Sequence, residues 1–287
     1  MAVTIDNVYI QTFEQNLRHL AQQSESKLRS RVMERSTNGE KHNWERLSPS
    51  TAVQKTTVLA NTPVAEVPWS RRQTIAETWH AGEATEQEDP VQMLVDPNSN
   101  ITRNLSMSMK RAVDDLIIAA ATGASRDGAG AGVAFPAAQK IGTGVAAIDF
   151  DLVTQVQEKF MANDIDPDVP KCFIVGPPQI RKLMTLTEQT SNDYVRKRLD
   201  ELSATGIVPN WMGFDWIMST RLNQPAVGQS DCFAMTYDAI GLQVNRDITA
   251  KIAEDPTKSF AFRIYAFMTM GAIRVEDEQL VHLHVLN

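Results

Sequence analysis

The strongest constraint on the fold is a stretch of 26 residues, 97–122, whose apolar side chains recur every three or four positions, as on one face of a long helix. Asp96 suits the N-cap, Pro97 suits the first helical position, and Gly123 stands where a C-terminal glycine ends a helix. At about 1.5 Å per residue the helix is roughly 39 Å long, so it needs a long partner surface, such as a sheet. Its apolar face consists of Ile101, Leu105, Met109, Val113, Leu116, Ile117 and Ala120.

The pattern changes twice after this helix. Residues 123–147 are rich in glycine and alanine and predict a loop or a loose hairpin. The following residues, to about 236, alternate between helical and strand patterns, with helices that begin near Asp149 or Asp151, Gly176 and Ser191. Predicted strands are 171–175, 213–218, 231–235, 240–244, 259–270, 272–275 and 280–286. This order indicates two α+β units, in which about 146–236 is inserted between the long helix and the sheet that covers it.

Composition excludes several classes of protein. The chain has 287 residues, of which 43% are hydrophobic and 22% charged, as in a globular protein of one or two domains. The 28 basic and 35 acidic residues give a net charge of -7, which argues against a general nucleic-acid binder. Two cysteines, Cys172 and Cys232, are too few for a disulfide scaffold and favour a reducing compartment. We expect neither a signal peptide nor a membrane partner, because no apolar run is long enough to span a bilayer.

Residues 8–35 predict a helical arm. Apolar residues in 8–35 keep a spacing of three or four and form a narrow seam, while basic residues occupy the other faces. Such a segment is either a solvated amphipathic helix or an arm that docks on another surface. If it is a docking arm, deletion of 1–35 should leave a folded subunit but impair assembly. The predicted docking residues of the arm are Phe13, Leu17, Leu20 and Leu28.

An extended, projecting hairpin is predicted for 57–81. Residues 36–56 are polar and broken by turn formers, whereas Ile75 and Trp79 alternate with polar residues in the manner of a strand. Pro63 and Pro68 restrict such strands to a sheet edge. An acidic turn follows, formed by Glu83, Glu86, Glu88 and Asp89.

Several motifs resemble parts of known binding sites, but none of them forms a complete site. The glycines of 128–132 lack the preceding strand and following helix of a phosphate-binding loop. His282 and His284 share one face of a predicted strand, as half of a zinc site would, but the sequence shows no third ligand. We predict that both histidines lie on the outer or interface face of the strand. Lys110 and Asp114, four apart, are predicted to form a helix-surface ion pair. We expect no catalytic centre, no cofactor and no metal.

The order of these segments resembles the major capsid proteins of tailed double-stranded DNA bacteriophages, which have the Hong Kong 97-type fold. The resemblance covers nearly the whole chain. It is carried by Trp79–Gly82, Glu86–Pro90, Asp96–Ser99, Lys110–Ala120 and Gly271–Val275.

The resemblance implies an α+β fold with five segments. These are an N-terminal arm at 1–56, an extended E-loop hairpin at 57–95, a P domain with the spine helix at 96–145, an inserted A domain at 146–238, and the return strands of the P domain at 239–287. It also implies that pentamers and hexamers of the chain form an icosahedral shell around phage DNA, in a virion assembled in the host cytoplasm.

The implied partners are further copies of the chain, a separate scaffolding protein and a portal, with a decoration protein as a further candidate. The DNA would be enclosed without sequence-specific binding. Aromatic and arginine side chains dominate interface energetics, so the hairpin and the acidic turn are expected to contact an adjacent subunit. The predicted interface residues are Trp69, Arg71, Arg72, Trp79, Glu83, Glu86, Glu88 and Asp89.

Two other functions were considered. A nanocompartment shell of the same fold would enclose cargo proteins instead of a genome. A soluble α/β enzyme acting on a phosphorylated substrate would need convergent polar residues in one pocket, and the sequence offers none.

Overall fold

The computed structural model describes residues 22–59, 61–62, 64, 67–86, 97–185 and 193–287. At 97–99, 193–196 and 198–199 the description covers the backbone alone. Several predictions fall outside the described residues, namely those for Phe13, Leu17, Leu20, Glu88, Asp89, Asp96 and Ser191.

The described residues form four α-helices and fourteen strands. The helices are α1 Pro97–Thr122, α2 Phe150–Ala162, α3 Pro177–Thr185 and α4 Asp193–Thr205. The strands are β1 Met33–Ser36, β2 Lys41–Leu47, β3 Trp69–Ile75, β4 Glu77–Thr85, β5 Ser125–Arg126, β6 Gly132–Val133, β7 Lys140–Ile141, β8 Lys171–Val175, β9 Ile207–Trp211, β10 Phe214–Met218, β11 Gln229–Thr236, β12 Ile240–Asp255, β13 Ala261–Arg274 and β14 Leu280–Leu286. None of the described helices combines the length and the apolar character needed to cross a membrane.

The chain divides into two compact units. Among the described residues, the first unit contains 22–25, 78–86, 97–111 and 248–268. Its sheet is formed by β4, the first part of β13 and the later part of β12. The second unit contains the rest of the described chain.

The second unit is built on a six-stranded sheet of order β7-β14-β11-β8-β10-β9. Its central strands are apolar throughout, and all five residues of β8 are buried. Phe173 contacts the ring of Trp216 at 4.6 Å between centroids and that of Phe214 at 5.6 Å. Asp149 caps α2 by accepting a hydrogen bond from the Leu152 amide, as the sequence predicts.

The last strand corrects the predicted organisation. β14 pairs antiparallel with β11 along its whole length, from Gln229↔Leu286 to Met235↔Leu280. Residues 280–286 therefore belong to the same sheet as the strands of the predicted A domain, and not to a separate set of return strands at 239–287.

The long helix has its predicted bounds. α1 runs from Pro97 to Thr122, and the Gly123 amide donates to the Ala119 carbonyl at 2.9 Å. Within the second unit, Val113 and Ile117 are 0% exposed. The short Gly-rich segment after the helix forms the β5–β6 hairpin, where the Asp127 carboxylate accepts hydrogen bonds from the amides of Ala129 and Ala131.

The segment before the hairpin differs from the prediction. Residues 22–35 do not continue a helical arm: they contain a single 3-10 turn, Arg29–Arg31, and the start of β1. β1 pairs in parallel with the beginning of β12, with Met33 opposite Gly241. The polar segment 36–56, for which the sequence predicts no regular element, contains β2.

Candidate functional site

The candidate site is the antiparallel hairpin of β2 and β3, whose strands are joined by 48–68. Its register runs from Lys41↔Ile75 to Leu47↔Trp69. We call the end of the hairpin away from 48–68 its base. On one face of the base the side chains of Trp44, Arg72 and Thr74 are buried, in keeping with the two-residue period of a strand.

Trp44 fixes the base of this hairpin in the second unit. Its indole Nε1 donates to the Thr74 hydroxyl at 2.6 Å, and the ring packs with Ile273 and Val275. A Cβ atom at Gly241 would lie 2.5 Å from the Trp44 ring, so only glycine allows the indole this close to the backbone. Sequence reasoning missed Trp44, because one aromatic in a polar segment gives no periodic signal.

A buried charge network holds the same face. Arg72 is 6% exposed and donates to Asp277 Oδ2, while Arg274, 0% exposed, donates to Asp277 Oδ1 at 2.6 Å. The Arg274 guanidinium also donates to the Gly123 carbonyl at 2.6 Å and lies 4.7 Å from the centroid of the Phe135 ring. This corrects the expectation that Arg72 is an exposed hairpin charge available to a neighbour, because its partner is in its own subunit.

The hairpin becomes exposed and apolar away from its base. Leu47 and Trp69 are directly opposite one another and are 58% and 70% exposed. The described part of 48–68 contains no strand or helix. Its exposed apolar side chains are Val53 at 70%, Val58 at 91%, Leu59 at 91% and Val64 at 90%. Several exposed apolar side chains gathered in one segment, unlike single ones, are typical of a surface that another protein covers.

The other described residues of the predicted interface are exposed. The Arg71 side chain is 58% exposed and contacts Glu45 of the same hairpin at 3.0 Å. Trp79 on β4 is 40% exposed, and Glu83 and Glu86 are also exposed.

Leu28, predicted to dock on another subunit, instead packs within its own. It is 0% exposed, and its amide donates to Asp114 Oδ1 at 3.2 Å. The same carboxylate accepts from the Ser26 hydroxyl at 2.6 Å and from the Lys27 amide at 3.1 Å. Lys110, predicted to pair with Asp114, has its Nζ 2.6 Å from Glu25.

The two histidines of the closing strand are placed differently from the prediction. His282 is 7% exposed and therefore does not lie on an outer face. Asp231, on the neighbouring strand β11, brings a carboxylate to both rings and supplies the third polar group that the sequence did not reveal. The antiparallel pairing of Asp231 with His284 creates this proximity across 53 positions of sequence.

Neither cysteine is placed for nucleophilic chemistry. Burial raises the pKa of the Cys172 thiol and that of the Cys232 thiol to about 12. Cys172 Sγ lies 3.4 Å from the Met235 carbonyl, in the interior of the six-stranded sheet. At neutral pH both remain protonated, small apolar side chains.

Comparison with known proteins agrees with this architecture. A family model described as phage capsid protein matches residues 5–286. The chain is similar to a solved structure from Mycobacterium phage Che8, with a TM-score of 0.73, 14% identity and coverage of 98% of both chains. It is similar to the capsid of Cyanophage P-SCSP1u, with a TM-score of 0.73, 12% identity and coverage of 100% and 96% of the two chains. No curated protein matches the sequence.

A third structure, the capsid of Ralstonia phage GP4, matches with a TM-score of 0.72, 11% identity and coverage of 100% of this chain and 98% of the other. Matches of nearly full length at such low identity report the fold, and they confirm the predicted α+β, Hong Kong 97-like capsid fold. The match to the family model extends over almost the entire sequence. The chain therefore belongs to the family of phage capsid proteins and has the structural role of a subunit of the virion shell.

Proposed function

We propose that this chain is the major capsid protein of a tailed double-stranded DNA phage, and that pentamers and hexamers of it form an icosahedral shell around the genome. The observation that carries the proposal is the hairpin, whose base is buried in its own subunit while its distal part exposes apolar side chains. A two-stranded hairpin does not stabilise such a surface alone. In a closed shell, every copy offers the same hairpin to its neighbour.

The apolar residues of 48–68 supply the driving force for this contact. Full burial of one valine or leucine side chain stabilises by about 1.5–3 kcal/mol. Val58, Leu59 and Val64 are each at least 90% exposed in the subunit, so almost all of this gain is available on assembly. We assign the interface to 48–68 together with Trp69, Arg71, Trp79 and the acidic turn at 83–89.

The charge of the chain fits a container. With a net charge of -7, the subunit has no basic excess with which to hold DNA tightly. The DNA would be retained by enclosure, without sequence-specific recognition. A scaffolding protein, a portal and a decoration protein are the further partners we assign to it, with assembly in the host cytoplasm.

The arm is assigned to the part of the chain before Ser26. Leu28 and Val32 are 0% and 1% exposed in the subunit, so they belong to its core. Deletion of 2–21, which removes Phe13, Leu17 and Leu20, should leave a folded subunit with impaired assembly. Deletion of 2–35 also removes the core residues and part of β1, and should reduce the stability of the subunit itself.

The test is to express the full chain with its phage's scaffolding protein, isolate particles by sedimentation and image them by negative stain. Closed shells of uniform size are expected. Particles from infected cells should contain double-stranded DNA that resists nuclease until the shell is opened. Particles that contain only cargo protein would instead assign the chain to a nanocompartment, and a chain that stays monomeric under all these conditions would contradict the shell.

A further inference from the structure

The cluster of Asp231, His282 and His284 lies on one face of the six-stranded sheet. Asp231 and His284 are cross-strand partners, and His282 is two residues before His284, so all three side chains leave the sheet on the same side. One possible ligand atom from each residue can be chosen so that all three lie within 4.8 Å of one another.

His282 contributes a buried imidazole without hydrogen bonds. Both of its ring nitrogens lack a hydrogen-bond partner among the described residues. Nε2 is 3.1 Å from Asp231 Oδ1, but the carboxylate lies off the direction of an N–H bond. The Phe135 ring covers the imidazole at 5.7 Å between centroids. Burying a polar ring without a partner is costly, so the arrangement leaves a ligand position to be filled.

The tautomer of His284 follows from its neighbour Gln229. The Gln229 amide donates from Nε2 to the Gly144 carbonyl at 3.1 Å, which directs its Oε1 to His284 Nε2, also at 3.1 Å. Because Oε1 is only an acceptor, His284 Nε2 carries the proton. Nδ1 lies 2.6 Å from Asp231 Oδ1, so this contact holds either the proton of a doubly protonated ring or a cation bound to a neutral one.

Outer contacts hold the same three residues in place. Asn223 donates from Nδ2 to Asp231 Oδ2 at 2.8 Å, which leaves Oδ1 directed at the imidazoles. Gly144 has a φ of +75°, and a Cβ atom there would lie 2.1 Å from His284 Nε2. The glycine is therefore required for the ring to occupy this position. Hydrogen-bonded outer residues of this kind orient the ligands in protein metal sites.

The composition of the cluster suits a cation, because it combines one carboxylate with two imidazoles.

We propose that Asp231, His282 and His284 bind one divalent cation of the zinc class, which links β11 to β14. Two imidazole nitrogens and one carboxylate oxygen suit Zn²⁺, whereas Ca²⁺ and Mg²⁺ prefer six or more oxygen ligands. Tetrahedral ligand atoms at about 2.0–2.1 Å from zinc lie roughly 3.3 Å from one another. The three candidate ligand atoms already lie within 4.8 Å of one another, so each distance between them would change by at most about 1.5 Å when zinc binds. A water molecule would complete the coordination. This inference does not depend on the proposed capsid function.

The test uses purified full-length subunit, freed of metal by a chelator and titrated with Co²⁺ as a spectroscopic probe. One equivalent of Co²⁺ should give the intense visible absorption of a tetrahedral complex, and Zn²⁺ should displace it. Zn²⁺ should also raise the melting temperature. His282→Asn and His284→Asn should lose both effects, while the matched control His80→Asn, an exposed histidine outside the cluster, should retain them.

A variant outside the ligand set and a measurement on the wild type complete the test. Gln229→Leu leaves all three ligands but removes the acceptor for His284, and it should weaken Zn²⁺ binding by about 10–100-fold. X-ray absorption of the Zn²⁺-loaded wild type should show two imidazole ligands. The proposal is overturned if the wild type gives no tetrahedral Co²⁺ spectrum and no Zn²⁺-dependent rise in melting temperature, or if bound zinc shows fewer than two imidazoles.

Discussion

Arg72 on the hairpin and Asp277 in the turn before the closing strand form a buried ion pair, with Nη2 of Arg72 2.5 Å from Oδ2 of Asp277. The other oxygen of the carboxylate accepts from Arg274, whose side chain is 0% exposed. Two arginines therefore share one carboxylate beneath the hairpin. In the sequence Arg72 resembles an exposed strand residue, but in the structure its buried guanidinium helps to hold the hairpin against the rest of the subunit.

Removal of Arg72 should destabilise the isolated subunit. We expect Arg72→Ala to lower the free energy of unfolding by about 3 kcal/mol, because loss of one partner leaves a buried charge less well compensated. Asp277→Asn should cost more, since it leaves two buried guanidinium groups facing each other. Urea denaturation of unassembled subunit measures both. The matched control is Arg71→Ala, whose exposed pair with Glu45 contributes at most about 1 kcal/mol. Equal effects at positions 71 and 72 would show that the network carries no stability.

Asp114 should be essential for placing the segment that precedes β1. Asp114→Ala removes the acceptor for the Ser26 hydroxyl and for the amides of Lys27 and Leu28, so we expect a loss of roughly 3 kcal/mol in unfolding free energy. Hydrogen exchange at the Leu28 amide should accelerate at the same time. Asp115→Ala, on the exposed side of the helix beside Arg221, is the control and should change stability by about 1 kcal/mol or less. Unchanged protection at Leu28 would contradict the account.

The two cysteines should be inert in the folded subunit. Burial raises their thiol pKa to about 12 from an ordinary 9.0, so iodoacetamide at pH 8 should label neither until the protein is unfolded. The raised pKa also sets the sign of a pH effect. The stabilising contribution of the protonated thiols is fully present below pH 9 and is lost as the pH rises towards 12. Rapid labelling of native protein at pH 8 would show that the strands bearing these thiols open readily.

The exposed apolar residues of 48–68 should matter for assembly and not for folding. The double variant Val58→Ser, Leu59→Ser should keep the melting temperature of the free subunit, because both side chains are 91% exposed there. Particle yield by sedimentation should fall strongly. Val227→Ser, which changes a 103% exposed valine outside the hairpin, is the control and should assemble normally. Normal particle yield from the double variant would remove 48–68 from the interface.

The sequence predicts those elements whose signal is local. The long helix was found with its bounds, because apolar spacing and the flanking Pro97 and Gly123 all lie within the element itself. The buried strand Lys171–Val175 and the cap at Asp149 were found for the same reason. β2 was missed because it has only one buried residue, Trp44, and becomes a strand by pairing with β3.

Contacts between distant residues could not be predicted from spacing. Leu28 fits a helical period, yet its burial depends on Asp114, 86 positions later. Likewise His282 and His284 were recognised as a pair, but their neighbour Asp231 is supplied by the register of β11 against β14. No pattern within either segment encodes that register, and the same holds for the pair formed by Arg72 and Asp277.

Electron cryomicroscopy of the assembled particle tests the central claim most directly. The account predicts a closed icosahedral shell made of five- and six-membered rings of this chain, in which 48–68 of each subunit lies on an adjacent subunit and Val58 and Leu59 become buried. Density for packed DNA should fill particles taken from infected cells. A particle of another symmetry, or a shell in which 48–68 touches no neighbouring copy, would contradict the account.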